Sequence, residues 1–256
     1  MKLIKSALNA AILAATVSTA TAAEGFDVYG KVSVMHDDST PRDISNSVSR
    51  LGFSFSNEFN GYTFGATHEI GMDANFKNIQ FGHDEARQSH LDLSGDFGSL
   101  SMGRIYGVAY NAVGSLGDQF TYHSGYETVT DTRETGTIAY TSPDLNGLTI
   151  SASTKYSGPN NTEIGLVYKM NDSITLSAMH GSGDAADNAD EDQGVGLVYS
   201  ADTLTVKASY QESDEDNAEY TNIYAGYSVD DKTYLAANIA DAKTSSTDNN
   251  PYTLGA

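Results

Sequence analysis

From Phe26 to the end of the chain, apolar and polar residues alternate with a period of two, and this pattern constrains the fold more than any other feature. Successive side chains of a β-strand point to opposite faces, so a two-residue period marks strands with one apolar and one polar face. Leu204, Val206, Ala208 and Tyr210 alternate with Thr203, Thr205, Lys207 and Ser209. Leu148, Ile150 and Ala152 alternate with Thr149, Ser151 and Ser153, and Ile164, Leu166 and Tyr168 with Glu163, Gly165 and Val167. The pattern predicts strands at 26–36, 48–57, 61–71, 87–95, 98–105, 135–142, 147–156, 161–170, 173–181, 193–200, 203–211, 219–229 and 232–240, and part of another at 251–256.

The connections alternate as well. Tight turns with Asn, Asp, Gly or Pro stand at 57–61, 95–98, 143–147, 171–172, 201–202 and 230–231. Between them lie long polar segments at 37–47, 72–86, 106–134, 182–192, 212–218 and 241–250, with a short link at 157–160 as the exception. Short connections on one rim and long ones on the other are the habit of barrels that span a membrane. The expected fold class is therefore all-β, a transmembrane antiparallel β-barrel whose polar strand faces line a wet interior.

The amino terminus reads as an address. Lys2 and Lys5 precede an apolar run from Ala7 to Ala20, and Ala20-Thr21-Ala22 offers small residues for cleavage. Residues 1–22 are expected to be a signal peptide and 23–256 the barrel. The run is shorter than the roughly 20 apolar residues that a spanning helix needs. Hydrophobic content is only 39%. A barrel tolerates that, because only the lipid-facing half of each strand must be apolar. There is no cysteine, so no disulfide supports the exported chain.

Fourteen Lys and Arg stand against 34 Asp and Glu. Such a balance argues against nucleic acid, which needs a basic footprint. It suits solubility in a salty medium, or the attraction of cations. The acids crowd two loops, Asp184, Asp187, Asp190, Glu191 and Asp192 in one and Glu212, Asp214, Glu215, Asp216 and Glu219 in the other. Well-solvated loops are the plain reading, and divalent ions bridging anionic lipid the alternative; the spacing is not that of an EF-hand. Tyr62, Tyr140, Tyr156, Tyr168, Tyr199, Tyr210 and Tyr227 sit near strand ends, as in an interfacial girdle.

Several stretches together resemble the general trimeric porins of Gram-negative outer membranes. Val28-Tyr29-Gly30-Lys31 is similar to that family's first strand, Ser49-Arg50-Leu51-Gly52-Phe53 to its second, and Arg87 to Gly95 to its fourth. Gly98 to Tyr110 resembles the strand entering the family's long third loop, and Arg133 to Tyr140 with Thr141-Ser142-Pro143 the strand leaving it. The resemblance implies a water-filled channel for passive diffusion of small hydrophilic solutes and ions. It implies 14–16 strands, an inward-folded third loop at about 106–134, and a homotrimer in which residues 72–86 latch onto a neighbour. Outer-membrane lipid and lipopolysaccharide are the surrounding partners, and no cofactor or metal is implied. Family members usually end on an aromatic residue, so the last strand, ending Leu254-Gly255-Ala256, is expected to be incomplete.

In that family a basic wall faces acids of the third loop. The matching positions here are Lys31, Arg50, Arg133 and Arg87 for the wall, and Asp118 and Glu127 for the loop. Alternation points Lys31, Arg50 and Arg133 away from the apolar face. Arg87 shares parity with Leu91 and Leu93, which implies a bulge or a place at the rim, and Arg104 poses the same difficulty. The acidic loops favour a preference for cations. Two other functions compete. An outer-membrane β-barrel enzyme needs a catalytic His, but His36, His68, His83, His90, His123 and His180 are scattered, although His68 and His90 could approach across neighbouring strands. A soluble β-sheet binding protein needs large residues alternating into a packed interior, where this chain has Thr, Ser, Gly, Lys and Glu. A solute-specific outer-membrane channel differs from a general one only in what the passage admits.

Overall fold

A computed structural model of the protein describes residues 13–18, 25–36, 44–46, 49–75, 78–81, 86–120, 128–184, 189–214, 217–244, 248–249 and 252–255. They divide into two compact units, residues 1–93 and 94–256. Both are built almost wholly of antiparallel strands.

In the first unit, β1 (Leu13–Ser18) pairs with β2 (Phe26–His36), and β2 with β3 (Ile44–Asn46) and β4 (Ser49–Phe59). β4 pairs along its whole length with β5 (Tyr62–Asn75), which also pairs with β6 (Asn78–Phe81) and β7 (Gln88–Gly95). Phe59 stands opposite Tyr62, leaving a two-residue hairpin of Asn60 and Gly61 with φ of 52° and 81°. Positive φ at both positions is what a hairpin matching the strand twist requires, and Asn-Gly supplies it at least cost. The short strands β3 and β6 fall inside the segments 37–47 and 72–86, which alternation alone assigned to loops.

The second unit is a meander in which each strand pairs with the next. It runs β8 (Gly98–Tyr106), β9 (Arg133–Thr141), β10 (Leu148–Lys155), β11 (Asn161–Lys169), β12 (Ile174–Asp184), β13 (Ala189–Ser200), β14 (Leu204–Ser213), β15 (Ala218–Ser228) and β16 (Tyr234–Lys243). β17 (Asp248–Asn249) and β18 (Tyr252–Gly255) then pair with β16. Asp230 Oδ1 accepts the backbone N–H groups of Lys232 and Thr233 at 2.8 Å, and Asn171 Oδ1 those of Ser173 and Ile174 at 2.9 Å. These side chains close the tight turns from within.

The polarity of the sheet faces is the reverse of a soluble sheet protein. Leu91, Val195, Ile223 and Ile239 are 64, 56, 51 and 60% exposed, whereas Glu69, Gln211, Asn222 and Asn238 are at most 2% exposed. Ile223 stands directly opposite Ile239 on one face, and Asn222 between Ser209 and Ala240 on the other. In water this arrangement would leave contiguous apolar surface uncovered while burying amides and carboxylates, which is unfavourable on both counts. A hydrocarbon solvent around the apolar face removes the first penalty.

One irregularity interrupts β8 and β9. Gly103 pairs with Thr137 but Ile105 with Glu134, so β9 carries one extra residue there. Gly136, at φ 68°, takes up the left-handed turn of this bulge. No helix among the described residues is long and apolar enough to cross a membrane.

Candidate functional site

In the first unit the register collects the basic side chains. Lys31 on β2 lies directly opposite Arg50 on β4, and Arg50 opposite Gly71 on β5. Gly71 leaves room for Arg87, whose Cδ would stand 3.7 Å from a Cβ there. Glu69 gathers the group. Its Oε1 accepts Arg87 Nε at 2.7 Å, its Oε2 lies 3.5 Å from Arg50 Nε, and the Tyr29 hydroxyl donates to Oε2 at 3.1 Å. The Arg87 backbone N–H also donates to the Glu69 carbonyl at 2.7 Å. Arg87 precedes β7, so the alternation of that strand does not set its direction.

In the second unit, residues 107–120 leave β8 and cross the polar face of β10 to β16. They form helix α1 (Val108–Ala112) and a 3-10 turn, Gly114–Leu116. Glu163 on β11 holds the first end: its Oε2 accepts Val108 N–H at 2.7 Å, Ala109 N–H at 3.3 Å and the Ser153 hydroxyl at 3.3 Å. Ala109, Ala112 and Val113 pack with Met179, Val129 and Val167. Glycines on the wall make room. A Cβ on Gly165 would lie 3.1 Å from Ala112 Cβ, and one on Gly196 would lie 2.4 Å from Leu116 Cδ1. Farther along, Asn238 Nδ2 donates to the Gly117 carbonyl at 3.5 Å, and Lys207 Nζ to Gln119 Oε1 at 2.5 Å. Phe120 meets the Tyr224 ring edge-on at 6.0 Å, and Lys207 Nζ lies 5.8 Å from the same ring.

Asp118 and Arg133 belong to one chain of contacts. The Tyr110 hydroxyl donates to Asp118 Oδ2 at 2.5 Å. The Tyr110 ring stacks on Tyr106 with centroids 5.9 Å apart and planes 14° from parallel. Arg133 lies over the Tyr106 ring, Cζ 4.8 Å from its centroid, and its Nη2 donates to the Tyr106 hydroxyl at 3.1 Å. Burial, and then the bond to Asp118, push the Tyr110 phenol above its ordinary range, so it remains a proton donor. Alternation counted back from Ile138 and Tyr140 crosses the bulge, so it does not determine where Arg133 points. Arg104 bonds to Thr135 Oγ1 on the exposed side of that bulge. Glu127 lies outside the described residues, as do the side chains of Asp184, Asp187, Asp190, Glu215 and Asp216.

The structure adds residues that the sequence reading passed over. Glu69, Glu134 and Glu163 are all buried on the polar face, and Glu134 Oε2 forms an ion pair with Lys155, whose Nζ lies 2.7 Å away. For Glu69 and Glu163 the signal was available, since each sits out of phase with apolar neighbours, as Glu163 does with Ile164 and Leu166, whereas Glu134 lies beyond the Gly136 bulge, where the count from Ile138 and Tyr140 fails. His68 and His90 do not meet. His68 contacts Ser89 at 3.1 Å on the exposed face, and His90 contacts Asp92 at 2.9 Å. No group of three or more metal-ligating side chains occurs among the described residues.

The family model described as "Gram-negative porin" matches residues 9–256. The chain is 29% identical to an outer membrane porin protein OmpD of Citrobacter koseri over 94% of this chain and 70% of that one. It is 27% identical to outer membrane porin N of Escherichia coli over 78% of this chain, and 29% identical to outer membrane protein S2 of Salmonella typhi over 54%. Those two matches span 54% and 38% of the relatives' own lengths. Among solved structures, Salmonella typhi OmpF in complex with daunomycin superposes with a TM-score of 0.71 at 19% identity, covering 89% of this chain and 82% of that one. The trimer form of Vibrio cholerae OmpT gives 0.67 at 14%, covering 90% and 81%. The shared fold is the transmembrane antiparallel β-barrel.

Proposed function

Because the chain belongs to the Gram-negative porin family, a family of outer-membrane channels rather than enzymes, we propose that it forms a water-filled channel for passive diffusion of small hydrophilic solutes and ions. One observation supports this above the others. The polar face carries carboxylates, amides and cations bonded to one another, while the opposite face exposes Leu, Ile, Val and Phe. A closed strand array with that polarity holds water inside and meets lipid outside.

The third loop is assigned to about residues 106–134, and an inward fold is assigned to it because its described stretch 107–120 lies on the polar face. Its fastening to Glu163, Asn238 and Lys207 supports that assignment. Lys31, Arg50, Arg87 and Arg133 are assigned to the basic lining, and Asp118 and Glu127 to the acidic loop, on the family resemblance. Fixed charges in a narrow aqueous passage order water and sort ions by sign. The excess of acids favours cations. Residues 1–22 are assigned to an export signal. Its removal would take away β1 and release the edge of β2 between Tyr29 and Val34. The homotrimer and the contact with lipopolysaccharide rest on the family alone.

The test is reconstitution. Detergent-extracted protein should conduct ions in a planar bilayer and let small sugars swell liposomes. Protein that stays monodisperse in buffer without detergent, or that leaves liposomes tight, overturns the reading.

A further inference from the structure

We propose that Tyr110 is a positioning residue for ion selectivity: its hydroxyl fixes the Asp118 carboxylate in one orientation, and the placement of that charge, not merely its presence, sets the balance of cations and anions. This rests on the channel reading above. Asp118 follows the 3-10 turn, where its main chain is already held. The neighbouring Gln119 is fastened twice, its Nε2 donating to the Ser115 carbonyl at 2.6 Å and its Oε1 accepting Lys207 Nζ. The bond from Tyr110, a hydroxyl donating to a carboxylate oxygen at 2.5 Å, is charge-assisted and opposes rotation of the Asp118 side chain.

Tyr110 is itself immobile. It is buried, its ring lies flat against Tyr106, and Tyr106 is clamped beneath the Arg133 guanidinium. The helix that carries Tyr110 is fastened at its first turn by Glu163. The phenol is therefore a rigid arm from the wall to the acid. A carboxylate in one place acts on passing ions as a fixed point charge. One that sweeps through several rotamers spreads its potential and is better screened by water.

The experiment compares zero-current potentials across planar bilayers under a potassium chloride gradient for the full-length protein and four variants: Tyr110→Phe, Asp118→Asn, their combination, and Asp118→Glu. Tyr110→Phe keeps the stacked ring and removes only the hydroxyl. Its potential is expected to move in the same direction as that of Asp118→Asn. Adding Tyr110→Phe to Asp118→Asn is expected to produce no further shift. Asp118→Glu keeps the charge but carries it one methylene beyond the phenol, and is expected to shift the potential at constant net charge. A wild-type potential in Tyr110→Phe, or an equal shift by Tyr110→Phe with and without Asp118, overturns the inference while leaving the channel intact. If Tyr110→Phe does not assemble, Asp118→Glu decides alone: a wild-type potential there overturns the inference. Conduction with no shift in Asp118→Asn removes Asp118 from the ion path, and the inference with it. An absence of conduction in the unmodified protein overturns the channel reading itself.

Discussion

Arg87 is bonded to Glu69 twice, its backbone N–H donating to the Glu69 carbonyl at 2.7 Å and its Nε to Oε1 at 2.7 Å. Because Arg50 and Tyr29 approach the same carboxylate, a single buried acid orders a patch of positive charge. Glu69→Gln should keep the shape but leave that patch without its counter-charge. The expected result is a zero-current potential displaced towards anions. A stability loss of about 1–3 kcal/mol, read from urea unfolding in vesicles, should accompany it.

Glu163→Ala removes the acceptor for Val108 N–H, Ala109 N–H and the Ser153 hydroxyl together. Buried donors left without a partner cost about 1–3 kcal/mol each. The first turn of α1 should detach before the strands unfold. Single-channel records should then show added current noise and substates, while the folded band in gel electrophoresis persists.

Gly165→Val puts a branched side chain where even a Cβ lies 3.1 Å from Ala112 and 3.2 Å from the Val108 carbonyl. Helix α1 must lift from the wall, at an overpacking cost of about 1–3 kcal/mol. Conductance should change without any change in net charge, and an unchanged conductance would count against residues 107–120 lining the passage.

Ile223 sits mid-strand on the exposed apolar face, opposite Ile239, whereas Leu235 pairs with Tyr227 beside a tight turn. Ile223→Arg should cost about 2–4 kcal/mol on folding into vesicles, and Leu235→Arg about 0–1 kcal/mol, because the penalty depends on depth in the bilayer. Equal penalties would mean that this face does not meet hydrocarbon.

The strands were legible because alternation is a local signal. Residues 26–36 and 98–105 emerge from it almost to the residue. Helix α1 was not, since five residues are too few to establish a helical period. Parity failed where its premise failed. Arg87 lies outside its strand, and the Gly136 bulge separates Arg133 from the apolar residues used to count its direction. Alternation did place Glu163 on the polar face but could not reveal that it caps a helix more than fifty residues earlier. That contact depends on how the strands register. The bond between Tyr110 and Asp118 is hidden for a related reason, because it exists only once a helix and a 3-10 turn have brought the two together.

The bare glycine floor beneath residues 107–120 bears on how such a passage can be resized. With Gly196 under Leu116 and Gly165 under Ala112, each bulge of the insert occupies a hollow of matching depth. Trimming Leu116 by itself would open a void, and enlarging the floor by itself would cause a collision. Variants with a new bore should therefore come from coupled exchanges at 116 with 196, or at 112 with 165, rather than from either partner altered singly.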